Sequence, residues 1–101
     1  MRIAPMDIVD AACAAEHIPP SRIFTRSRKS SVARARQIAM YLCRRVCGMS
    51  FPRVGMFFER HHATVVHACT TVEARISGDV AFGVKVHSVR EAALRAGKAA
   101  A

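Results

Sequence analysis

The sequence contains no tryptophan, one tyrosine and five phenylalanines among its 101 residues. Its core must therefore come mainly from aliphatic side chains, a composition that suits packed helices. No apolar run reaches the ~18–20 residues that a helix needs to cross a bilayer. No basic segment followed by an apolar stretch and a cleavage site opens the chain, so we expect a cytoplasmic protein with no membrane partner.

Closely spaced cysteine pairs, the usual ligands of structural zinc, are also missing. None of the four cysteines forms a Cys-x-x-Cys pair. Cys43 and Cys47 are one helical turn apart, and His61, His62 and His67 follow them, so a zinc site is conceivable. Buried thiols in a reducing cytosol are the favoured interpretation. We predict that the protein holds no metal and no cofactor.

The sequence also lacks the common constellations of catalytic residues. There is no Gly-x-x-x-x-Gly-Lys-Ser/Thr phosphate loop, because Gly97-Lys98 stands without the rest of that motif. His61 and His62 lie close to Thr64, but no carboxylate is placed to orient either imidazole for acid–base chemistry. We therefore predict that the chain is not an enzyme.

Acidic residues are scarce, and their distribution is uneven. Sixteen Lys and Arg against seven Asp and Glu give a net charge of +9. Ten basic residues and a single acid, Glu59, lie between Arg22 and Arg60 inclusive. A block of one sign within a folded domain indicates a polyanionic partner, whereas solvated faces usually mix signs. A surface that binds nucleic acid is thus the favoured interpretation, and a generic basic surface is the alternative.

Apolar residues recur at intervals of three and four, which predicts an all-α fold of about five to six helices. We expect a single domain over 1–101 with its core over 5–96. The helices are predicted over 5–16, 32–47, 50–57, 61 or 62 to 76, and 80–96, followed by a frayed tail over 97–101. Two consecutive prolines end the first helix, Ser31 is placed to cap the second, and Gly48 ends it.

The short third helix has the clearest local pattern. Ser50 is predicted to cap it, and Pro52 falls in the first turn, where its missing N–H costs little. Gly55 permits close packing of a neighbouring helix, and residues 58–60 form the turn that follows. Its apolar contacts are expected from Phe51, Val54, Met56 and Phe57.

The third and fourth predicted helices, joined by a tight turn and backed by a basic helix, have the pattern of a helix-turn-helix DNA-binding unit. Residues 25–31, which we call the basic loop, are polar and basic without apolar periodicity. The loop could be a flexible linker, but its position between core segments favours an arm that lies on a phosphate backbone or in a minor groove.

Two segments resemble a known family. Residues 31–42, Ser-Val-Ala-Arg-Ala-Arg-Gln-Ile-Ala-Met-Tyr-Leu, are similar to the DNA-binding helices of the bacterial chromosomal replication initiator DnaA. Residues 60–68, Arg-His-His-Ala-Thr-Val-Val-His-Ala, resemble that domain's signature, usually Arg-Asp-His-Thr-Thr-Val-Leu-His-Ala. The resemblance covers roughly residues 8–76 and points to the C-terminal DNA-binding domain, domain IV.

The resemblance implies a Trp-repressor-like helical domain that binds A·T-rich origin boxes. It places Arg28 in the minor groove and the start of the fourth helix in the major groove, with base contacts from Arg28, His61, His62, Ala63, Thr64 and His67. Backbone contacts are implied for the basic loop, which carries Arg26 and Lys29, and for Gln37, Arg44 and Arg60. The basic block of the sequence adds Arg22, Arg34 and Arg53 as expected phosphate contacts.

The sequence departs from the family pattern at three points. His61 replaces the usual aspartate, Ala63 replaces the first threonine, and the small turn residue is replaced around Phe58 and Glu59, which predicts a strained turn. The chain also lacks the initiator's ATPase module, so we expect a freestanding DNA-binding domain.

The leading hypothesis is a sequence-preferring double-stranded DNA binder that regulates replication initiation or transcription at the nucleoid. Without its own ATPase module, it is not expected to melt an origin by itself. We expect a monomer, with replication proteins as further partners. The alternative hypothesis is a protein-interaction module that binds an acidic replication protein and has altered or lost DNA specificity. RNA binding is a third option. The leading hypothesis requires the basic loop and the side chains around Thr64 to converge on one side of the molecule.

Overall fold

The computed structural model describes the backbone of residues 3–100 and the side chains of 3–97. These residues form five α-helices and one short 3₁₀ helix, without a strand in the described part, which confirms the all-α prediction. The elements are α1 (Pro5–Ala15), a 3₁₀ helix (Pro20–Phe24), α2 (Ser30–Arg45), α3 (Phe51–Phe58), α4 (His62–Gly78) and α5 (Val80–Ala100). Over the same residues, no helix is both long and apolar enough to cross a membrane.

The helices share one core of small and aliphatic side chains. α1 packs against α2 and α5, while α4 packs against α2, α3 and α5. Each helix contributes residues spaced by three or four, as the apolar pattern requires. Fully buried members include Ile8, Val9, Ile23, Ile38, Val54, Phe58, Val65, Val72 and Val89.

The second helix begins earlier than predicted. α2 starts at Ser30, and its N-cap residue is Lys29, with no side-chain hydrogen bond to the helix. The expectation that Ser31 caps this helix is therefore wrong, because Ser31 lies inside the first turn. The helix ends at Arg45, two residues before the predicted Cys47, with Val46 as its C-cap. Gly48 then adopts the left-handed φ of 66°, and the N–H of Met49 donates to the carbonyl of Cys43 at 3.3 Å.

The third helix confirms its predicted start and corrects its end. The Ser50 side chain accepts a hydrogen bond from the N–H of Arg53 at 3.3 Å. Phe58, which was expected in the turn, is the last residue of α3 and fully buried. It lies one helical turn after Val54 on the inward face, so Met56, half a turn away, is 79% exposed instead of packing inward.

The turn between α3 and α4 is tight. Glu59 adopts φ 56°, a left-handed conformation that is unfavourable for a residue with a Cβ, so the predicted strain is confirmed. The N–H of Arg60 donates back to the carbonyl of Gly55 at 2.8 Å. A Cβ on Gly55 would lie 2.6 Å from the Arg60 carbonyl oxygen, so the close approach predicted at this glycine is confirmed.

The last helix is longer than predicted. α5 continues through Ala100, beyond the predicted helix end at Ala96, and Ala101 lies outside the described residues. The fraying of residues 97–101 stays a prediction. Ala96 precedes Gly97, two alanines follow at positions 99 and 100, and one glycine costs a helix only about 1 kcal/mol. The alanines therefore carry the helix past the glycine.

Candidate nucleic-acid interface

Two arginines hold the basic loop against the helix-turn-helix unit. Arg36 of α2 donates from Nε to the carbonyl of Ile23 at 2.9 Å and from Nη2 to that of Thr25 at 2.8 Å. Arg60, just before α4, donates from Nη2 to the same Thr25 carbonyl at 2.7 Å. A single loop carbonyl thus joins α2, the loop and the α3–α4 turn, which fixes where the loop leaves the body.

The two guanidinium groups also concentrate positive charge at this junction. Burial, followed by the charge of Arg60, lowers the pKa of Arg36 from its ordinary value. The ordinary pKa of arginine is so high that Arg36 stays protonated despite this shift. Its charge therefore adds to that of Arg60. The resulting positive potential faces the side from which the loop projects, where it attracts an anionic ligand.

The basic side chains of the loop are free to meet a ligand. Arg26, Arg28 and Lys29 are exposed, while backbone groups of the loop are held by local hydrogen bonds to Thr25 and Ser27 side chains. A shallow depression is lined by Arg26, Ser27, Arg28, Arg36, Glu59 and Arg60. The loop and the α3–α4 turn therefore form adjacent parts of one surface.

The first turns of α4 continue that surface. His61, His62, Ala63, Thr64 and His67 are all exposed. Thr64 and His67 line a second depression together with Gln37, Arg36 and Arg60. Because Arg36 and Arg60 border both depressions, the structure brings Arg28 and Thr64 to the same side of the molecule. We call this side the loop–α4 face.

His61 has a structural function that the sequence reasoning missed. Its Nδ1 accepts a hydrogen bond from the N–H of Ala63 at 3.0 Å, which makes His61 the N-cap of α4. Its ring stacks on that of His62, with centroids 4.3 Å apart. The residues preferred at a helix N-cap are Ser, Thr, Asp and Asn. The sequence therefore did not predict that a histidine caps α4.

Besides Arg60, two more of the predicted phosphate contacts are engaged within the protein. Arg34 donates from Nε and Nη2 to Oε1 of Glu16, the residue that follows α1, at 3.0 and 2.9 Å. Arg44 donates to the carbonyl of Met49 at 3.0 Å, and its guanidinium lies 4.4 Å from the centroid of the Phe51 ring. The structure does not bring either guanidinium to the loop–α4 face. Arg22 and Arg53 are exposed on the 3₁₀ helix and on α3.

Cys13, Cys43 and Cys69 are buried in the core, while Cys47 is half-buried and donates from Sγ to the carbonyl of Ile3 at 3.3 Å. Burial raises the pKa of Cys13 to about 11 and that of Cys43 to about 12, so both thiols stay protonated near neutral pH. Among the described residues, no group of three or more His, Cys, Asp or Glu side chains could hold a metal ion.

Comparison with known proteins places the chain in a family. The model of the bacterial DnaA protein helix-turn-helix family matches residues 5–72. The chain belongs to this DnaA family. The match includes α1 to α3 and most of α4, and so contains both segments on which the resemblance rested.

The curated relatives are chromosomal replication initiator proteins named DnaA. The chain is 39% identical to the protein of Bacteroides thetaiotaomicron over 84 residues, which are 82% of this chain and 18% of that protein. It is 43% identical to the protein of Clavibacter sepedonicus over 67 residues, 65% of this chain and 14% of that protein. The chain thus spans less than a fifth of the length of these two DnaA proteins.

A solved structure shares the fold. The crystal structure of a DNA replication initiation factor matches with a TM-score of 0.77 and 32% sequence identity, covering 88% of this chain and 27% of that chain. The family match and this structural match together confirm the helix-turn-helix bundle.

Proposed function

We propose that the chain binds double-stranded DNA in the manner of a replication initiator. α4 would enter the major groove with its first turns, while the basic loop would lie along the adjacent minor groove. The observation that carries this proposal is the shared Thr25 carbonyl, which sets the loop beside the start of α4. Family membership supports it independently, since the relatives are replication initiators.

The proposed contacts divide into two sets. Base contacts come from Arg28, His61, His62, Ala63, Thr64 and His67, all of which are exposed on the loop–α4 face. Backbone contacts come from Arg22, Arg26, Lys29, Gln37, Arg53 and Arg60. Arg34 and Arg44 are left out of the second set, because Glu16 and the Met49 carbonyl hold their guanidinium groups away from the loop–α4 face. Arg60 stays in the set, because the Thr25 carbonyl that it binds belongs to the basic loop.

The proposed target is an A·T-rich duplex, because a narrow A·T minor groove attracts an inserted arginine. Origin boxes and promoter sites of that composition would both fit. We propose that the chain acts at such sites on the bacterial nucleoid as a monomer, with other replication proteins as partners.

Arg28→Ala is expected to weaken binding to an A·T-rich duplex by about 1–3 kcal/mol, the usual size of one specific contact. The loss on a G·C-rich duplex of equal length should be smaller, because only the narrow minor groove of A·T-rich DNA attracts the arginine strongly. Fluorescence anisotropy with both labelled duplexes measures the two losses.

Arg95→Ala is the matched control, since it removes the same charge from an exposed position on α5. Its effect should be small and equal on both duplexes. If Arg28→Ala weakens both duplexes equally, the minor-groove assignment is wrong.

A further inference from the structure

The cap on α4 fixes which chemical group His61 presents outward. A backbone N–H can only donate a hydrogen bond, so the Nδ1 that accepts from Ala63 at 3.0 Å must carry a lone pair. In the neutral imidazole the proton then resides on Nε2. Nε2 lies on the other side of the ring from the capped amide, so His61 offers solvent a donor.

Stacking on His62 supports a fixed ring orientation. The two ring centroids are 4.3 Å apart and the ring planes are inclined by 29°. Rotation of the His61 side chain would break both the stack and the cap, which leaves the first turn of α4 with one more unpaired N–H. The exposed Nε2–H is therefore held in one place at the start of the helix.

We propose that His61 selects bases that offer only hydrogen-bond acceptors in the major groove. This inference rests on the proposed function, in which the first turn of α4 meets base edges. Guanine offers O6 and N7, and thymine offers O4, whereas cytosine offers only its N4 amino donor. Nε2–H can pair with guanine or thymine and is opposed by cytosine. Adenine offers both a donor and an acceptor.

Two substitutions whose new side chains are isosteric with each other test the polarity of this contact. Asn and Asp both cap helices through a side-chain oxygen, so each can replace Nδ1 of His61 at the Ala63 N–H. His61→Asn then leaves an amide N–H as the outward group, a donor as in the native chain. His61→Asp leaves a carboxylate oxygen, which can only accept. The pair therefore changes the outward group while keeping the cap.

The experiment selects bound duplexes from a random pool with the native chain, His61→Asn and His61→Asp in parallel. One position of the site should favour guanine or thymine for the native chain and His61→Asn. The same position should change to cytosine or adenine for His61→Asp, with a relative enrichment change of about tenfold for one base contact. Comparing bases within each variant removes the general repulsion of DNA by the added carboxylate.

The failures are distinguishable. If the native chain selects a site but His61→Asp selects the same site, or if the native chain favours cytosine or adenine at the affected position, the donor assignment is overturned and DNA binding stands. If the native chain selects no sequence at all, the proposed function fails, and this inference fails with it. Thermal unfolding of all three proteins checks that the cap is kept.

Discussion

Gly55→Ala is expected to lower the free energy of unfolding by about 3 kcal/mol, near the upper end for overpacking a close contact. The new carbon would lie 2.6 Å from the Arg60 carbonyl oxygen and 3.3 Å from the His62 nitrogen. Both atoms belong to the backbone, so no side chain can rotate away to make room. The turn must move, and the hydrogen bond from Arg60 to the Gly55 carbonyl weakens with it. Circular dichroism should show a midpoint lower by about 15 °C.

Gly83→Ala is the matched control for this prediction. Gly83 lies inside α5, and a Cβ there would meet its nearest neighbour, Cγ2 of Ile76, at an ordinary 3.7 Å. Alanine is favoured over glycine in a helix by about 1 kcal/mol, so this variant should unfold at or above the native midpoint. If Gly55→Ala unfolds at the native midpoint, the close packing of the α3–α4 turn is wrong.

Glu16→Gln should cost about 3 kcal/mol of stability, because it removes the anion that joins three helices. The Glu16 side chain is 3% exposed and lies 2.9 Å from Arg34 of α2 and 2.8 Å from Lys85 of α5. Removing one member of a fully buried ion pair costs about 3–5 kcal/mol. Arg34 and Lys85 are 33% and 35% exposed, so water compensates part of the loss and the lower figure applies. Urea denaturation at neutral pH measures the difference.

Glu73→Gln is the control for the effect of an isolated surface pair. Glu73 is 54% exposed and lies 3.8 Å from Arg45, a geometry that contributes about 0–1 kcal/mol. Urea denaturation should therefore give this variant nearly native stability. A loss as large as that of Glu16→Gln would contradict the special role of the buried carboxylate.

The Glu16 contribution should also depend on pH. Burial raises the pKa of Glu16, but hydrogen bonds and charge from Arg34 and Lys85 outweigh it and leave the pKa below its ordinary value of 4.5. The native chain therefore has the full benefit above pH 4.5 and loses it as the pH falls through the lowered pKa. The stability difference between native chain and Glu16→Gln should shrink over that range. A constant difference would contradict the linkage.

Local sequence patterns predicted the helices and the helix-turn-helix unit, because the interactions that begin, end and orient each helix are local. Ser50 and Gly48 act on backbone groups within a few residues of themselves, and the apolar spacing selects the buried face of each helix. The same reasoning missed that Phe58 belongs to the core. The third helix was predicted to end at residue 57, one residue too early, and this placed Phe58 in the turn.

Long-range polar contacts could not be predicted in this way. Arg36 and Arg34 look alike in the sequence of α2, yet one holds the basic loop and the other binds Glu16. Which of them meets which partner depends on how α1, α2 and the loop pack. The sequence therefore predicted a basic surface. Which residues hold the basic loop in place could be determined only from the structure. The individual base and backbone contacts remain predictions.

The central claim is that the basic loop and the start of α4 form one DNA-binding face, and amide NMR spectra during titration with an A·T-rich duplex test it most directly. The largest shifts should fall together on residues 25–29 and 61–67, while exposed positions of α5 such as Val84 and Arg95 stay nearly unchanged. Shifts concentrated on α5, or on only one of the two segments, would contradict the claim.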